Sequence, residues 1–171
     1  MIDPLEQLQK YGRLGVVIDT NLLLLFFLGS YDRRQVDVNP RLEMFSQRDF
    51  EYLVQLLNRI VKRIVTTPNI LTEVSNLSNA IPERHRKAYF ASFLDRLAVI
   101  DEQHVPSTTA LGSRWAEFGL TDAAIAEIAR NKYLVLTDDF RLSQSLQSAG
   151  IDTLNFNHLR SAYWGMSGGY S

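Results

Sequence analysis

The sequence predicts an α/β protein, a three-layer α/β/α domain with a central, mostly parallel sheet of four to five strands. Three consecutive β-branched residues, Val16 to Ile18, favour a strand buried on both faces of such a sheet. Further short apolar strands alternate with helical segments, which is typical of parallel sheets covered by helices. With 171 residues and no internal repeat or linker, the chain is predicted to form one domain, 1–171. Within it we expect an N-terminal lead, 1–14, and a loose Gly/Ser-rich tail, 165–171.

An unbroken apolar run follows the first strand and extends from Leu22 to Leu28. The run would also suit a second strand, but leucine is a good helix former and Gly29-Ser30 is a helix stop signal, so we predict a buried helix. Asp19 stands between strand and helix, at the carboxyl end of a strand, where open α/β sheets bind their ligands. A single aspartate there is also a common helix cap, so a chemical role for Asp19 depends on finding partners for it.

The other elements are predicted from the spacing of apolar residues and from helix start and stop signals. The further strands are expected at 64–66, 98–100, 133–137 and 151–156. Helices are expected at 3–12, from about Asp49, after Pro68, after Pro82, in the later part of 104–119, at 123–130, and from Asp138-Asp139 to Ala149.

Two further local predictions concern the surface and the core. The helix after Pro82 carries an apolar stripe of the kind that packs against a core, formed by Tyr89, Phe90, Phe93, Leu94 and Leu97. The polar segment 29–39 is predicted to be an exposed loop.

Composition excludes several classes of function. The formal net charge is −1, so nucleic-acid binding would need a local basic patch rather than a global field. The chain has no cysteine, which excludes disulfides, thiolate metal ligands and cysteine nucleophiles. Its start shows no secretory signal, and the longest apolar run is far short of the roughly 20 residues that span a bilayer. We therefore expect a soluble, cytoplasmic protein without a membrane role.

Acidic residues recur where the predicted strands end and the following helices begin. Asp19 ends the first strand, Glu73 lies on the helix after the second, Asp122 lies one residue past a threonine helix cap, and Asp138 and Asp139 end the strand at 133–137. In a doubly wound sheet these positions share one edge. Carboxylates that converge there repel one another, and a hard divalent cation would neutralise them. Oxygen-only ligands indicate Mg²⁺ or Mn²⁺.

Each of these acids also has an ordinary explanation. Asp122 and Asp138 are suited to helix caps or first helical turns, where the helix dipole favours negative charge. Glu73 would be an ordinary solvated helix residue. The coincidence of all these acids at one sheet edge is much less probable by chance than any one of them alone, and this coincidence supports a site.

Four short motifs, in order along the chain, resemble those of the PIN-domain family. They are Val17-Ile18-Asp19-Thr20-Asn21, Pro68-Asn69-Ile70-Leu71-Thr72-Glu73, Leu120-Thr121-Asp122-Ala123 and Leu136-Thr137-Asp138-Asp139-Phe140. The family comprises metal-dependent ribonucleases, among them the toxins of many bacterial toxin–antitoxin pairs. The resemblance covers about residues 15 to 156.

The resemblance implies an acidic catalytic site formed by Asp19, Glu73, Asp122 and Asp139. The fourth acid of the family usually stands two residues past a strand-end Thr or Ser, which selects Asp139 here, with Asp138 as the competing assignment. A Mg²⁺ or Mn²⁺ ion, held by Asp19, Asp122 and Asp139, would polarise a scissile phosphate of RNA. The chain is longer than the compact toxins of the family, with an N-terminal lead and an enlarged segment, 29–62, and these leave its partner and substrate open.

Supporting and substrate-binding residues are predicted around these acids. The resemblance implies that Thr20, Asn21 and Thr137 orient the ligands. Local basic residues would track the RNA backbone, namely Arg141, Arg33 and Arg34, with further runs at 62–63 and 84–87. Tyr31 or Trp115 would stack bases. For each basic run, a solvated helix face is the alternative.

Two other protein classes of similar topology lack their required residues in this sequence. A haloacid-dehalogenase-type phosphatase needs a second Asp at position 21, where Asn21 stands, and a receiver domain needs an acidic pair after its first strand, which is lacking. The remaining alternative is a non-catalytic PIN-like module that binds RNA or protein in a larger complex. An antitoxin or inhibitor protein would be a further partner, with an apolar groove in 29–62 to receive its helix. A homodimer is also open.

Overall fold

Five short parallel strands form the middle layer of the protein, of which the computed structural model describes residues 3–167. The strands are β1 (Val16–Ile18), β2 (Ile64–Thr66), β3 (Asp101–Glu102), β4 (Leu134–Thr137) and β5 (Thr153–Asn155). Their order in the sheet is β3-β2-β1-β4-β5, and every neighbouring pair is parallel. Every residue of β1 and β4 is buried, so helices cover both faces of the sheet. The predicted three-layer α/β/α class is confirmed.

Helices connect the strands and form the outer layers. They are α1 (Pro4–Tyr11), α2 (Thr20–Tyr31), α3 (Arg34–Val38), α4 (Gln47–Arg59), α5 (Pro68–Leu77), α6 (Glu83–Leu97), α7 (Ser107–Leu111), α8 (Leu120–Ala129), α9 (Phe140–Ser148) and α10 (Phe156–Ser167). Short 3₁₀ turns lie at Pro40–Leu42, Ser78–Ala80 and Ala116–Phe118.

The central position of β1 determines which side chains meet at the carboxyl edge of the sheet. Val17 of β1 pairs with Val65 of β2 on one side and with Val135 of β4 on the other. Because the strands are parallel and in register, β1, β2 and β4 end at the same edge. Asp19 and the starts of the helices that follow these strands therefore lie together.

Helix α2 is buried along most of its length, as predicted, but it does not end at Gly29. It continues to Tyr31, and the ring of Phe50 occupies the space beside Gly29, where a Cβ would lie 2.7 Å from the ring carbon Cε2. The glycine thus allows a close approach between two helices rather than a helix end. Although α2 is apolar on all sides, no helix within residues 3–167 is long and apolar enough to cross a membrane.

The segment 29–39, predicted as an exposed loop, is mostly helical. Helix α3 begins after Asp32, whose carboxylate accepts a hydrogen bond of 3.0 Å from the backbone N–H of Arg34. Val36 anchors the helix because its side chain is buried in the core. The loop prediction was wrong because a single buried apolar residue gives too weak a pattern to mark a five-residue helix.

The strand predicted at 98–100 is also wrong, since these residues form turns directly after the end of α6. The N–H groups of Ala98 and Ile100 donate to α6 carbonyls, and Val99 is 80% exposed. The strand lies just beyond, where Asp101 and Glu102 pair with β2. The Val and Ile of this run favour a strand, but the hydrogen bonds that the N–H groups make to the end of α6 override this preference.

Several other boundaries differ from the predictions. In α6 the apolar stripe is narrower than expected, since Phe90 is 39% and Leu94 is 65% exposed. The helical part of 104–119 is limited to α7 and the 3₁₀ turn before Gly119. At the C-terminus α10 extends to Ser167, so 165–167 are helical rather than loose, and the rest of the predicted tail, 168–171, lies outside the described residues.

Candidate functional site

A cavity of about 260 Å³ lies at the carboxyl edge of the sheet and is lined by four of the predicted acids. Asp19 comes from the end of β1, Glu73 from the middle of α5, Asp122 from the first turn of α8, and Asp139 from the junction of β4 and α9. The other polar lining residues are Thr20, Asn21, Arg41 and Thr121. Asp138 does not line this cavity. The structure therefore brings together side chains from four separate segments, as the parallel topology predicted.

Asp19 is the most deeply placed of these acids. Its Oδ1 accepts a hydrogen bond of 3.1 Å from the N–H of Leu22, and its Oδ2 accepts one of 3.1 Å from the N–H of Asp138 and another from the hydroxyl of Thr137. Burial raises the pKa of Asp19 well above its usual value, and the nearby charge of Asp138 raises it further. Asp19 thus caps α2 and also belongs to the acidic cavity.

Glu73 is held from both sides by threonine hydroxyls. The hydroxyl of Thr20 donates to Oε2 at 3.0 Å, and the hydroxyl of Thr121 donates to Oε1. The sequence analysis assigned Thr121 as the cap of α8, which is wrong: Gly119 occupies the cap position and Thr121 lies inside the helix. Two hydroxyls from two different helices therefore fix the orientation of one carboxylate.

Asp122 is the acid whose charge is least compensated. It accepts no hydrogen bond from the described residues, and burial raises its pKa to about 6, with Asp139 and Glu73 adding repulsion. A carboxylate with free oxygens and a raised pKa beside two other acids marks a site where a cation would bind favourably.

The two neighbouring acids at the end of β4 have different environments. Asp139 lines the cavity; its Oδ1 caps α9 through the N–H of Leu142 at 2.9 Å. Asp138 instead accepts hydrogen bonds of 3.3 Å from the side chain of Asn21, and burial raises its pKa. The geometry thus favours Asp139 over Asp138 as the fourth acid of the cavity.

The oxygen donors of the cavity suit a divalent cation in their chemistry but not in their spacing. Its oxygens are carboxylate and hydroxyl groups, which suit Mg²⁺ or Mn²⁺ chemically. No group of three or more Asp, Glu or His side chains within residues 3–167 is close enough to hold an ion in this arrangement. The chemistry therefore fits, but the carboxylates would have to move closer together to coordinate an ion.

Arg41 is a cavity residue that the sequence analysis missed. Its Nε donates to Oδ1 of Asn21 at 3.3 Å, and its backbone N–H donates to the side chain of Asn39 at 2.9 Å. The following residue, Leu42, is buried and anchors the turn. Arg41 makes no ion pair with any carboxylate in the described part of the chain. No sequence pattern marked Arg41, because its position depends on how the Pro40–Leu42 turn packs.

The predicted substrate-binding arginines do not line the cavity. Arg33 pairs with Glu51 at 2.7 Å and Arg34 pairs with Asp32 at 3.0 Å. Arg141 lies with its guanidinium carbon 5.0 Å from the ring centre of Phe118, which does line the cavity. The ring of Phe118 therefore lies between Arg141 and the acidic cavity.

The two aromatic residues predicted to stack bases are placed differently. Trp115 is buried, so its ring is not available for stacking. Tyr31 lines a separate cleft of about 640 Å³ together with Arg34, Arg84 and His85. Two of the basic runs noted in the sequence thus meet at this second cleft, away from the acidic cavity.

No protein-family model, no curated protein and no solved structure matches the chain. The fold and the cavity therefore define its class: an all-parallel α/β/α protein with an acidic cavity at the carboxyl edge of its sheet.

Proposed function

We propose that this protein is a divalent-metal-dependent endoribonuclease of the PIN-domain type, which hydrolyses phosphodiester bonds of RNA. The observation that supports the proposal is the convergence of Asp19, Glu73, Asp122 and Asp139 on one cavity. These are the residues that the motif resemblance selected. Open α/β sheets bind ligands at this edge, which is consistent with a catalytic role for the cavity.

The cation would be Mg²⁺ or Mn²⁺, held by Asp19, Asp122 and Asp139. When bound, such an ion polarises a phosphodiester and makes water more acidic at neutral pH. Asp122 accepts no hydrogen bond in the described part of the chain, and Asp139 accepts one through Oδ1 only. Both therefore keep free lone pairs for a cation, and an ion would relieve the repulsion between them.

Glu73 is the best-positioned base in the cavity. The hydroxyls of Thr20 and Thr121 hold its two oxygens, so its carboxylate keeps one orientation while its remaining lone pairs can accept a proton from an attacking water. This arrangement requires no nucleophilic side chain, in keeping with a chain that has no cysteine.

Arg41 supplies the positive charge that an RNA phosphate needs in an otherwise acidic cavity. Its Nε is used by Asn21, which leaves the two terminal nitrogens of the guanidinium for a phosphate. Asn21 is held in turn by Asp138. Asp138, the alternative fourth acid of the motif, thus positions Arg41 through Asn21.

The proposal is tested by incubating a labelled single-stranded RNA with the protein in Mn²⁺ or in EDTA. We expect cleavage in Mn²⁺ only, and a loss of about 100-fold or more in Asp122→Asn, since even residues that only orient metal ligands cost 10–100-fold when removed. Asp95→Asn, the same change at an exposed position on α6, serves as the matched control and should cleave like the wild type. RNA that stays intact in Mn²⁺ and in Mg²⁺ would contradict the proposal.

The second candidate function is a non-catalytic module that binds RNA or protein. It is favoured by the finding that no three acidic or histidine side chains in residues 3–167 are arranged to hold an ion. The same assay separates the two functions, because the module would retain RNA without cleaving it in either metal.

A toxin role would also require an inhibitory partner protein. Val38 and Met44, on either side of the Arg41 turn in sequence, are 67% and 66% exposed and offer apolar contacts for such a partner. Co-expression with the product of the adjacent gene tests this role: a stable complex that suppresses RNA cleavage is expected, and undiminished cleavage would contradict it.

A further inference from the structure

A different cleft, of about 490 Å³ and distinct from the one lined by Tyr31, adjoins the acidic cavity. Its lining includes Arg114, Trp115, Glu117, Phe118, Gln144 and Ser145. Phe118 lines both the cleft and the acidic cavity, so the two spaces are neighbours at this residue. A molecule bound at the acids would therefore lie next to the cleft.

The ring of Phe118 is held in place and yet partly exposed. It ends the Ala116–Phe118 turn, and the buried ring of Trp115 supports it at a centroid distance of 5.9 Å. Gly119 follows with a φ of +94°, a conformation that side chains disfavour, and no atom lies near the position that a Cβ there would take. Gly119 therefore adds no bulk between Phe118 and Asp122, and the Phe118 side chain itself is partly exposed.

The polar groups of the cleft match the edge of a nucleobase. The Gln144 amide and the Ser145 hydroxyl supply hydrogen-bond donors and acceptors, and neither side chain makes a hydrogen bond within residues 3–167. Arg114 lies over the ring of Trp115 and Arg141 over the ring of Phe118, so both add positive charge beside the cleft, and a guanidinium plane is itself a stacking surface for bases. The cleft is also within the size range of small-ligand pockets, roughly 300–1,000 Å³.

We propose that this cleft binds one unpaired base of the RNA, from a nucleotide next to the bond that is cleaved, with Phe118 as the stacking residue. The inference rests on the proposed nuclease function and deepens it by assigning the cleft and the side chain that receive a base next to the cleaved bond. A base in a duplex is stacked on both faces and paired at its edge, so it presents neither its face to Phe118 nor its edge to Gln144.

The test measures the affinity of the full chain for a fluorescent single-stranded RNA in EDTA, by anisotropy. A series of the same RNA with one abasic nucleotide, moved along the strand, locates the base that is bound. With wild type, we expect one abasic position to weaken binding by about five-fold or more, since base–aromatic stacking contributes roughly 1–3 kcal/mol.

The Phe118→Leu variant should bind the intact RNA about five-fold or more weakly, with no further loss from the abasic nucleotide at that position. Phe90→Leu, at a partly exposed phenylalanine of α6, is the matched control and should bind like the wild type. Gln144→Ala, at an exposed position, gives an independent readout if Phe118→Leu unfolds, and it too should weaken binding to the intact RNA. A double-stranded RNA of the same sequence should bind more weakly than the single strand.

The outcomes separate this inference from the nuclease proposal. If wild type cleaves RNA in Mn²⁺ but no abasic position matters and Gln144→Ala binds normally, the base cleft is wrong and the nuclease stands. Equal affinity for single- and double-stranded RNA would also overturn the base cleft. If wild type neither binds nor cleaves RNA, both proposals fail.

Discussion

The hydroxyl of Thr137 donates a hydrogen bond to the carboxylate of Asp19, and this bond joins the ends of two adjacent strands at the centre of the sheet. Both side chains are buried. The Thr137 oxygen also accepts the N–H of Asp139 at 3.0 Å, so one hydroxyl links two acids of the cavity. A buried carboxylate that loses such a donor pays a desolvation penalty.

We therefore expect Thr137→Val to lower the free energy of unfolding by about 1–2 kcal/mol, since it removes one of the two hydrogen bonds to Oδ2 of buried Asp19 and leaves the partly buried N–H of Asp139 without its partner. Urea unfolding at pH 7 measures this change. Thr66→Val is the matched control: Thr66 is equally buried in β2, but its hydroxyl has no hydrogen-bond partner within residues 3–167. It should be neutral or stabilising, and equal losses in both variants would contradict the role of the Thr137 bond.

Binding of a cation should raise the thermal midpoint. At an Mn²⁺ concentration 100-fold above the dissociation constant, mass action adds about 2.7 kcal/mol, and a chain of this length would shift by roughly 5–10 °C. Differential scanning fluorimetry with Mn²⁺ against EDTA measures the shift. Asp122→Asn should lose most of it, while Asp95→Asn should keep it. A wild-type thermal midpoint that does not change in millimolar Mn²⁺ would contradict the proposed metal site.

The metal-free protein should be more stable at pH 5 than at pH 7. The pKa of Asp122 is raised from 3.8 to about 6 by burial, so the folded state binds a proton that the unfolded state lacks between these values. The stabilisation from this group is complete below about pH 4 and is lost as the pH rises through 6, which amounts to about 1 kcal/mol between pH 5 and pH 7.

Asp122→Asn should lack this gain in stability between pH 7 and pH 5, and in EDTA at pH 7 it should be more stable than the wild type. The pKa values of Asp19 and Asp138 are also raised, but both residues are present in both proteins, so the difference between wild type and variant isolates Asp122. Urea unfolding at pH 5, 6 and 7 provides the comparison. Parallel stability curves for the two proteins would show that Asp122 titrates normally.

Gly29 should not tolerate a methyl group. A Cβ there would lie 2.7 Å from ring carbon Cε2 of Phe50, and overpacking of this kind costs roughly 1–3 kcal/mol, which outweighs the helix propensity of alanine. Gly165→Ala, in α10 with open space around it, should instead be neutral or stabilising by up to about 1 kcal/mol. Thermal unfolding compares the two variants, and a stabilising Gly29→Ala would mean that α2 and α4 pack less closely.

Replacing Arg41 should weaken RNA binding without weakening the fold. Each phosphate contact to a single strand contributes about 0.7 to the slope of log affinity against log salt, so Arg41→Gln should flatten that slope by about this amount. Anisotropy titrations in EDTA at several salt concentrations measure it. Arg59→Gln, at the far end of α4, removes the same charge and should leave the slope unchanged; if both variants behave alike, Arg41 makes no phosphate contact.

The acids of the cavity could be predicted from sequence because each lies at a local landmark. Asp19 follows a β-branched strand, and Asp139 follows the strand that ends in Thr137. Parallel strands bring such landmarks to one edge whatever the order of the strands. The hydroxyls that hold Glu73 could not be predicted in this way, because the Thr20 and Thr121 contacts join residues 53 and 48 positions away in sequence.

The errors in the fold came from segments where local propensity and tertiary packing disagree. The 98–100 run has the composition of a strand, but the end of α6 uses its N–H groups. Gly29 has the composition of a helix end, but its small size serves the contact with Phe50. Arg41 could not be identified because nothing in its neighbourhood separates a cavity arginine from a solvated one.

The bond between Asp19 and Thr137 spans 118 residues of sequence, and this separation has a consequence for synthesis. A chain leaving the ribosome presents Asp19 early, yet β4 and the second half of the cavity follow only after most of the protein has been made. Contacts this distant form late in folding, because the loop between them must be closed first. Any activity of the cavity would therefore be withheld from incomplete chains, and truncated products would carry the acids without the site.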